Sequence, residues 1–157
     1  MSDSKTAMQT FLGFDYGEKV IGVAVGSTHT RAAQPLNTVS VPGGEPDWKV
    51  IDRLVADWRP TAMVVGLPLN MDDTPNPMTR AARRFGERLK ARYNLPVHMV
   101  DERLTTLSAK RDLYDAGIPA RHHKRHLDRL AAQSILQSFL NDSIPNHDRD
   151  GKLEPRP

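Results

Sequence analysis

The segment Phe11–Gly26, FLGFDYGEKVIGVAVG, decides the fold. Phe11 to Asp15 reads as a short strand that ends in a polar residue. Tyr16 to Lys19, with Gly17 inside it, reads as a tight turn. Val20 to Val25 reads as a second strand, broken by Gly22. Two apolar runs joined by a short polar turn predict a β-hairpin.

Working outward, a third strand is expected over Leu36–Val41, closed by Pro42, Gly43 and Gly44. Asp47–Trp58 carries Val50, Ile51, Leu54 and Val55 at helical spacing. Ala62–Val65 is continuously apolar, the pattern of a strand covered on both faces. A loop rich in Gly, Pro, Asn and Asp follows over Gly66–Pro77. Thr79–Tyr93 then reads as a helix, Val97–Val100 as a strand, and Thr105–Asp115 as a helix ending at Gly117. A last helix is expected over His123–Leu140. Early antiparallel strands followed by helix–strand units predict an α/β fold with a central mixed sheet flanked by helices.

The chain has 157 residues, within the range of one domain. Residues 1–10 are expected to form a flexible N-terminus, 11–141 the folded domain, and 142–157 a disordered tail poor in apolar residues. There is no cysteine, which excludes disulfide scaffolds, thiolate zinc sites and cysteine nucleophiles. The polar N-terminus and the absence of a long apolar run predict a protein without a membrane anchor, located in the cytoplasm.

Lys and Arg total 22 against 19 Asp and Glu, a net charge of +3. The distribution says more than the sum. Arg80, Arg83, Arg84, Arg88, Lys90 and Arg92 crowd one helix with Glu87 among them, and Arg121, His122, His123, Lys124, Arg125 and His126 form a second basic cluster. Such patches are either solvated surfaces or footprints for a nucleic-acid backbone.

The acidic residues suggest chemistry. Asp15 ends the first strand, Asp101 and Glu102 follow the strand Val97–Val100, and Asp128 lies early in the last helix. At 100° per residue Asp128 shares a face with Ala131, Ala132, Ile135 and Phe139, the apolar side. A carboxylate there must be paired, hydrogen-bonded or bound to a cation. It either pairs with Arg103 or Lys124, caps a backbone N–H, or points to the sheet edge near Asp15 and Glu102. Parallel pairing of the first and fourth strands would put their carboxyl ends at one edge, where ligands bind in such sheets. Clustered carboxylates repel one another, and a divalent ion such as Mg²⁺ or Mn²⁺ removes that repulsion. Such an ion suits phosphodiester hydrolysis. Asp101 and Glu102 alternate across the strand, so spacing does not decide between them; the longer reach of Glu102 favours it.

Other motifs have plainer readings. Asp15-Tyr16-Gly17 resembles the phosphate loop of actin-like ATPases, but the chain is too short for two lobes. Trp48 and Trp58 read as packing groups, Met63 as core, and His98 as a structural histidine in its strand. Thr105 and Thr106 either cap a helix or bond a phosphate.

Four segments together, FLGFDYGEKVIGVAVG (Phe11–Gly26), VVGLPLNMDDT (Val64–Thr74), PVHMVDERLTT (Pro96–Thr106) and LDRLAAQSILQSFL (Leu127–Leu140), resemble the YqgF/RuvX family. These are pre-16S rRNA nucleases related to RuvC-type Holliday junction resolvases. The resemblance implies an RNase H-like fold with a five-stranded sheet, a bacterial cytoplasmic location, and a metal-dependent nuclease that matures the 5′ end of 16S rRNA. It places the acidic, metal-holding site on Asp15, Glu102 and Asp128. It makes Asn70 part of a substrate-facing rim, Arg103 and Thr105 supports of the site, and Lys124 a basic position ahead of the last aspartate. Lys19, Arg83 and Arg84 join these as candidate substrate contacts.

Two departures from the family pattern stand out. Lys19-Val20 replaces a common Lys-Arg, and Asp72-Asp73 replaces a common Asp-Gly. They favour one alternative to the endonuclease, a non-catalytic RNA-binding factor of ribosome assembly; a resolvase acting on branched DNA as a dimer is a third reading. The sequence does not fix the oligomeric state.

Overall fold

A computed structural model describes residues 8–70, 72–101 and 120–143, with the side chains of the last segment described over 129–142. Five strands form one sheet in the order β3-β2-β1-β4-β5. They are β1 (Thr10–Asp15), β2 (Val20–Ser27), β3 (Ala33–Ser40), β4 (Ala62–Leu67) and β5 (Val97–Asp101). Three helices accompany them among the described residues: α1 (Trp48–Trp58), α2 (Pro77–Tyr93) and α3 (Ala120–Ser143).

The hairpin forms as expected, with Asp15 opposite Gly22 and Thr10 opposite Ser27. Its turn is tight enough to demand glycine, because a Cβ on Gly17 would lie 2.4 Å from the Val20 carbonyl oxygen. β1 pairs with β4 in parallel, and β4 with β5 in parallel. The sheet is therefore mixed, and the carboxyl ends of β1, β4 and β5 share one edge.

Strand alternation splits the core in two. Leu12, Phe14, Ile21, Val23, Met63 and Val65 face α1 and α2, packing with Ile51, Leu54, Phe85 and Leu89. Phe11, Ala24, Ala62 and Val64 face α3, packing with Ala132, Ile135, Leu136 and Phe139. Burying each large apolar side chain stabilises the fold by ~1.5–3 kcal/mol.

On the first face, α1 and α2 are clasped around Trp48. Arg88 and Arg92 each stand 5.0 Å from its ring. Arg88 donates to both Glu45 carboxylate oxygens at 2.9 and 2.5 Å, and Arg92 to both Asp52 oxygens at 2.9 and 2.8 Å. The Tyr93 hydroxyl also donates to Asp52 at 2.5 Å. The hydrogen bonds from Arg92 and then Tyr93 hold the Asp52 carboxyl down at about 2. Burial, first, and the bond to Asp52 raise the Tyr93 hydroxyl above its ordinary range.

Several bounds differ from expectation. β3 begins at Ala33, because its pairing with β2 continues to Gly26 opposite Ala33; there Gln137 of α3 accepts from the Ala33 N–H at 2.9 Å and Gln133 donates to its carbonyl at 2.9 Å. β4 extends to Leu67, shortening the following loop. α2 begins at Pro77, whose fixed φ and missing N–H suit a first helical position. α3 runs from Ala120 to Ser143, longer at both ends. Trp48 packs as expected, whereas Trp58 at the end of α1 is 42% exposed and is not a core group. Met63 is fully buried. The His98 ring lies on Phe139, centroids 4.9 Å apart. Of the expected flexible start over 1–10 and tail over 142–157, Thr10 belongs to β1 and 142–143 to α3; 1–7, 144–157 and the expected helix over 105–115 lie outside the described residues. No helix among the described residues is long and apolar enough to cross a membrane.

Candidate active site at the sheet edge

Asp15 is the last residue of β1 and is partly exposed. Its face follows from its neighbours. Phe11 meets Phe139 edge-to-face at 5.3 Å. Gly13 lies under α3, its would-be Cβ 2.8 Å from Leu136 Cβ and 3.4 Å from the Ala132 carbonyl oxygen. Asp15 is next in that alternation, so it belongs to the α3 face at the carboxyl edge.

The same contacts give the direction of α3. Phe139 lies over Phe11, and Leu136 and Ala132 over Gly13, so the helix runs antiparallel to β1. Two strand residues advance about 6.6 Å and four helical residues about 6 Å. The turn containing position 128 therefore comes level with Asp15. That position shares its helical register with Ala131, Ala132 and Ile135, which are 2%, 0% and 0% exposed, the inner face expected from spacing. The side chains of Lys124 and Asp128 lie outside the described residues, as do Glu102, Arg103 and Thr105.

β5 contributes a discrimination. Val97 and Met99 pack with the α1/α2 core, whereas Val100 packs with the α3 core. Asp101 shares the parity of Val97 and Met99, is exposed, and lies on the face opposite to that of Asp15.

The rim beside this edge is the loop from Pro68 to Asn76. The Asn70 carboxamide is used inside it, donating to Thr74 Oγ1 at 2.9 Å and accepting from Asn76 Nδ2 at 2.9 Å. Asp72 accepts from the Thr74 hydroxyl at 2.6 Å and from its N–H at 3.1 Å; the first of these bonds holds its carboxyl below the ordinary range. Asn76 and Thr79 form a reciprocal capping box at the start of α2, and the Thr79 hydroxyl donates to the Pro68 carbonyl. Thr79 is fully buried, the one buried polar residue among those described. Sequence reading missed it; Asn76-Pro77-Met78-Thr79 before a helical run was the available signal.

Lys19 is exposed in the hairpin turn, four residues after Asp15 and at the same edge. Arg83 and Arg84 are exposed on α2, which covers the other face of the sheet, so the fold does not bring them to the Asp15 face. Among the described residues no three carboxylates or histidines cluster around a common point. The donor set expected from the sequence, Asp15, Glu102 and Asp128, is oxygen-only, a chemistry that would suit a hard divalent ion.

The RuvX family model, described as Holliday junction resolvase, matches residues 9–142. A Pseudomonas putida protein is 47% identical over 134 residues, 85% of this chain and 95% of its own length. A Dechloromonas aromatica protein is 48% identical over 140 residues, 89% of this chain and 94% of its own. Both carry the name "Putative pre-16S rRNA nuclease". Among solved structures, Thermus thermophilus RuvC in complex with a Holliday junction substrate has a TM-score of 0.50 at 18% identity, over 86% of this chain and 96% of that one. The fowlpox virus Holliday junction resolvase has a TM-score of 0.52 at 12% identity, over 85% of this chain and 98% of that one. These two share the RNase H-like fold with this protein. By the family match and by its relatives, the chain belongs to the RuvX family.

Proposed function

We propose that this protein is a metal-dependent endonuclease that hydrolyses phosphodiester bonds at the carboxyl edge of β1, β4 and β5, with the 5′ end of precursor 16S rRNA in the cytoplasm as its substrate. The observation that carries this is the register of α3 on β1, which brings the turn of position 128 level with Asp15 on one face of the sheet. Asp101 shares the parity of Val97 and Met99 and so lies on the face away from Asp15, which favours Glu102 over Asp101 as the third carboxylate. The names of the relatives support the substrate.

In this reading Asp15, Glu102 and Asp128 hold Mg²⁺ or Mn²⁺. When bound, the ion lowers the pKa of water and stabilises charge developing on the phosphate. Lys19, exposed in the hairpin turn at the same edge as Asp15, would supply a cation for a backbone phosphate. Asn70 braces the rim that borders the substrate, and Arg103, Thr105 and Lys124 complete the contacts.

The test is cleavage of a precursor 16S rRNA fragment carrying its 5′ leader. The wild-type protein should cut it with Mg²⁺ or Mn²⁺ and not with chelator. The double substitution Asp15→Asn, Asp128→Asn should abolish cutting; full activity in it contradicts the assigned site. The family description and the RuvC likeness favour branched DNA as a second substrate. A four-way junction in the same assay, with sedimentation to detect the dimer that symmetric cutting needs, decides that reading. RNA binding without turnover would instead identify an assembly factor.

A further inference from the structure

The basic residues of α2 fall into two groups. Arg88 and Arg92 are held by Glu45 and Asp52 against Trp48. Arg80, Arg83, Arg84 and Lys90 are all exposed and hold no ion pair among the described residues. On a helical wheel Arg80, Arg83 and Arg84 lie on the outward side, opposite the buried Ala82, Phe85 and Leu89, with the exposed Glu87 among them and Lys90 at the edge beside Thr79.

The first turn of α2 has no acidic residue, so nothing there offsets Arg80 at the end of the turn where the helix dipole disfavours a cation. Arg83 and Arg84 follow one turn on, and together the three cations suit an external anion.

Resting on the nuclease reading above, we propose that this ridge is a second nucleic-acid surface that holds a double-helical segment of the substrate away from the scissile phosphate. Position excludes a shared phosphate, since α2 and the Asp15 face lie on opposite sides of the sheet. The substrate backbone passes over the carboxyl edge to reach both. Arg80 to Lys90 spans about 15 Å of helix, long enough to follow several phosphates. The ridge has no stacking platform: Phe85 is buried against Phe14, and Trp48 and Tyr93 are engaged in the clasp. A surface of cations without exposed rings reads phosphates and not unstacked bases, which suits a duplex over a single strand. A second copy of this chain is a poor fit, because two-fold contact would set the same cations against each other.

The test measures binding of a blunt RNA duplex, in chelator, between about 50 and 200 mM salt. Arg80→Gln, Arg83→Gln, Arg84→Gln together should keep or raise the melting temperature, weaken duplex binding about tenfold or more at low salt, and lower the salt slope by about 2–3. Binding of a single strand should fall less. The control Arg88→Gln should lower melting temperature and keep the slope. An unchanged slope in the triple variant, no duplex binding by the wild type, or a dimer lost on substitution would each overturn the proposal. If the triple variant does not fold, Arg83→Gln alone should lower the slope by about one. Because no cleavage is read, failure here is distinct from failure of the nuclease reading.

Discussion

Gly13 of β1 sits beneath Leu136 of α3, so close that a Cβ on Gly13 would stand 2.8 Å from the Leu136 Cβ. This approach seats α3 on the sheet and sets the level at which its early turns meet Asp15. Gly13→Ala should destabilise the protein by about 1–3 kcal/mol through overpacking, read as a lower denaturant midpoint. It should also reduce cleavage at temperatures where the variant is fully folded, since lifting the helix moves position 128 away from Asp15. Wild-type stability would show that α3 is not held this tightly.

The Thr79 hydroxyl donates to the Pro68 carbonyl and accepts from the Asn76 N–H while fully buried. Thr79→Val keeps the shape and leaves both partners unsatisfied, a loss of about 1–3 kcal/mol. Thr79→Ser should recover most of it. Equal melting temperatures for the two variants would contradict the assignment.

Asp73 adopts φ +73°, in the left-handed region that favours glycine. The Asp-Asp pair thus replaces the family's Asp-Gly at the position where glycine fits the backbone. Asp73→Gly should raise stability by up to about 1 kcal/mol, the relief of strain being partly offset by glycine's entropy. Chemical denaturation measures it, and a fall in stability would contradict it.

The Asp52 carboxyl is held down to about 2 by Arg92 and Tyr93. A depressed folded value means that the stabilisation is present above the ordinary carboxyl value near 3.8 and is lost as pH falls toward 2. The side chains of the pair are 44% and 46% exposed, so solvent screening keeps its contribution small. Asp52→Asn should lower stability modestly at neutral pH and flatten its decline between about pH 4 and 2. Unfolding curves at several pH values check this; an identical pH profile in the variant would refute it.

Periodicity made much of this molecule readable in advance. The hairpin follows from two apolar runs around Gly17. The doubly covered strand follows from Ala62–Val65, and the inner face of α3 from the spacing of Ala131, Ala132 and Ile135. Spacing gives the polar side of a helix but not the side of the sheet that the helix covers. Arg83 and Arg84 were therefore legible as exposed cations and not as residues of the opposite face. The Asn70–Asn76–Thr79 network is a matter of loop geometry, and its polar residues also suit an open loop. Trp58 shares the helical register of the buried Ile51 and Leu54, so its exposure in the last turn of α1 could not be read from spacing.

The proposed activity requires a metal centre at the α3 face of the sheet edge. A crystal structure of the protein soaked with Mn²⁺, with the anomalous signal locating the ion, tests that most directly. The ion should lie between Asp15, Glu102 and Asp128, with Asp101 turned to the other face. An ion bound through Asp101, or bound nowhere near Asp15, would contradict it.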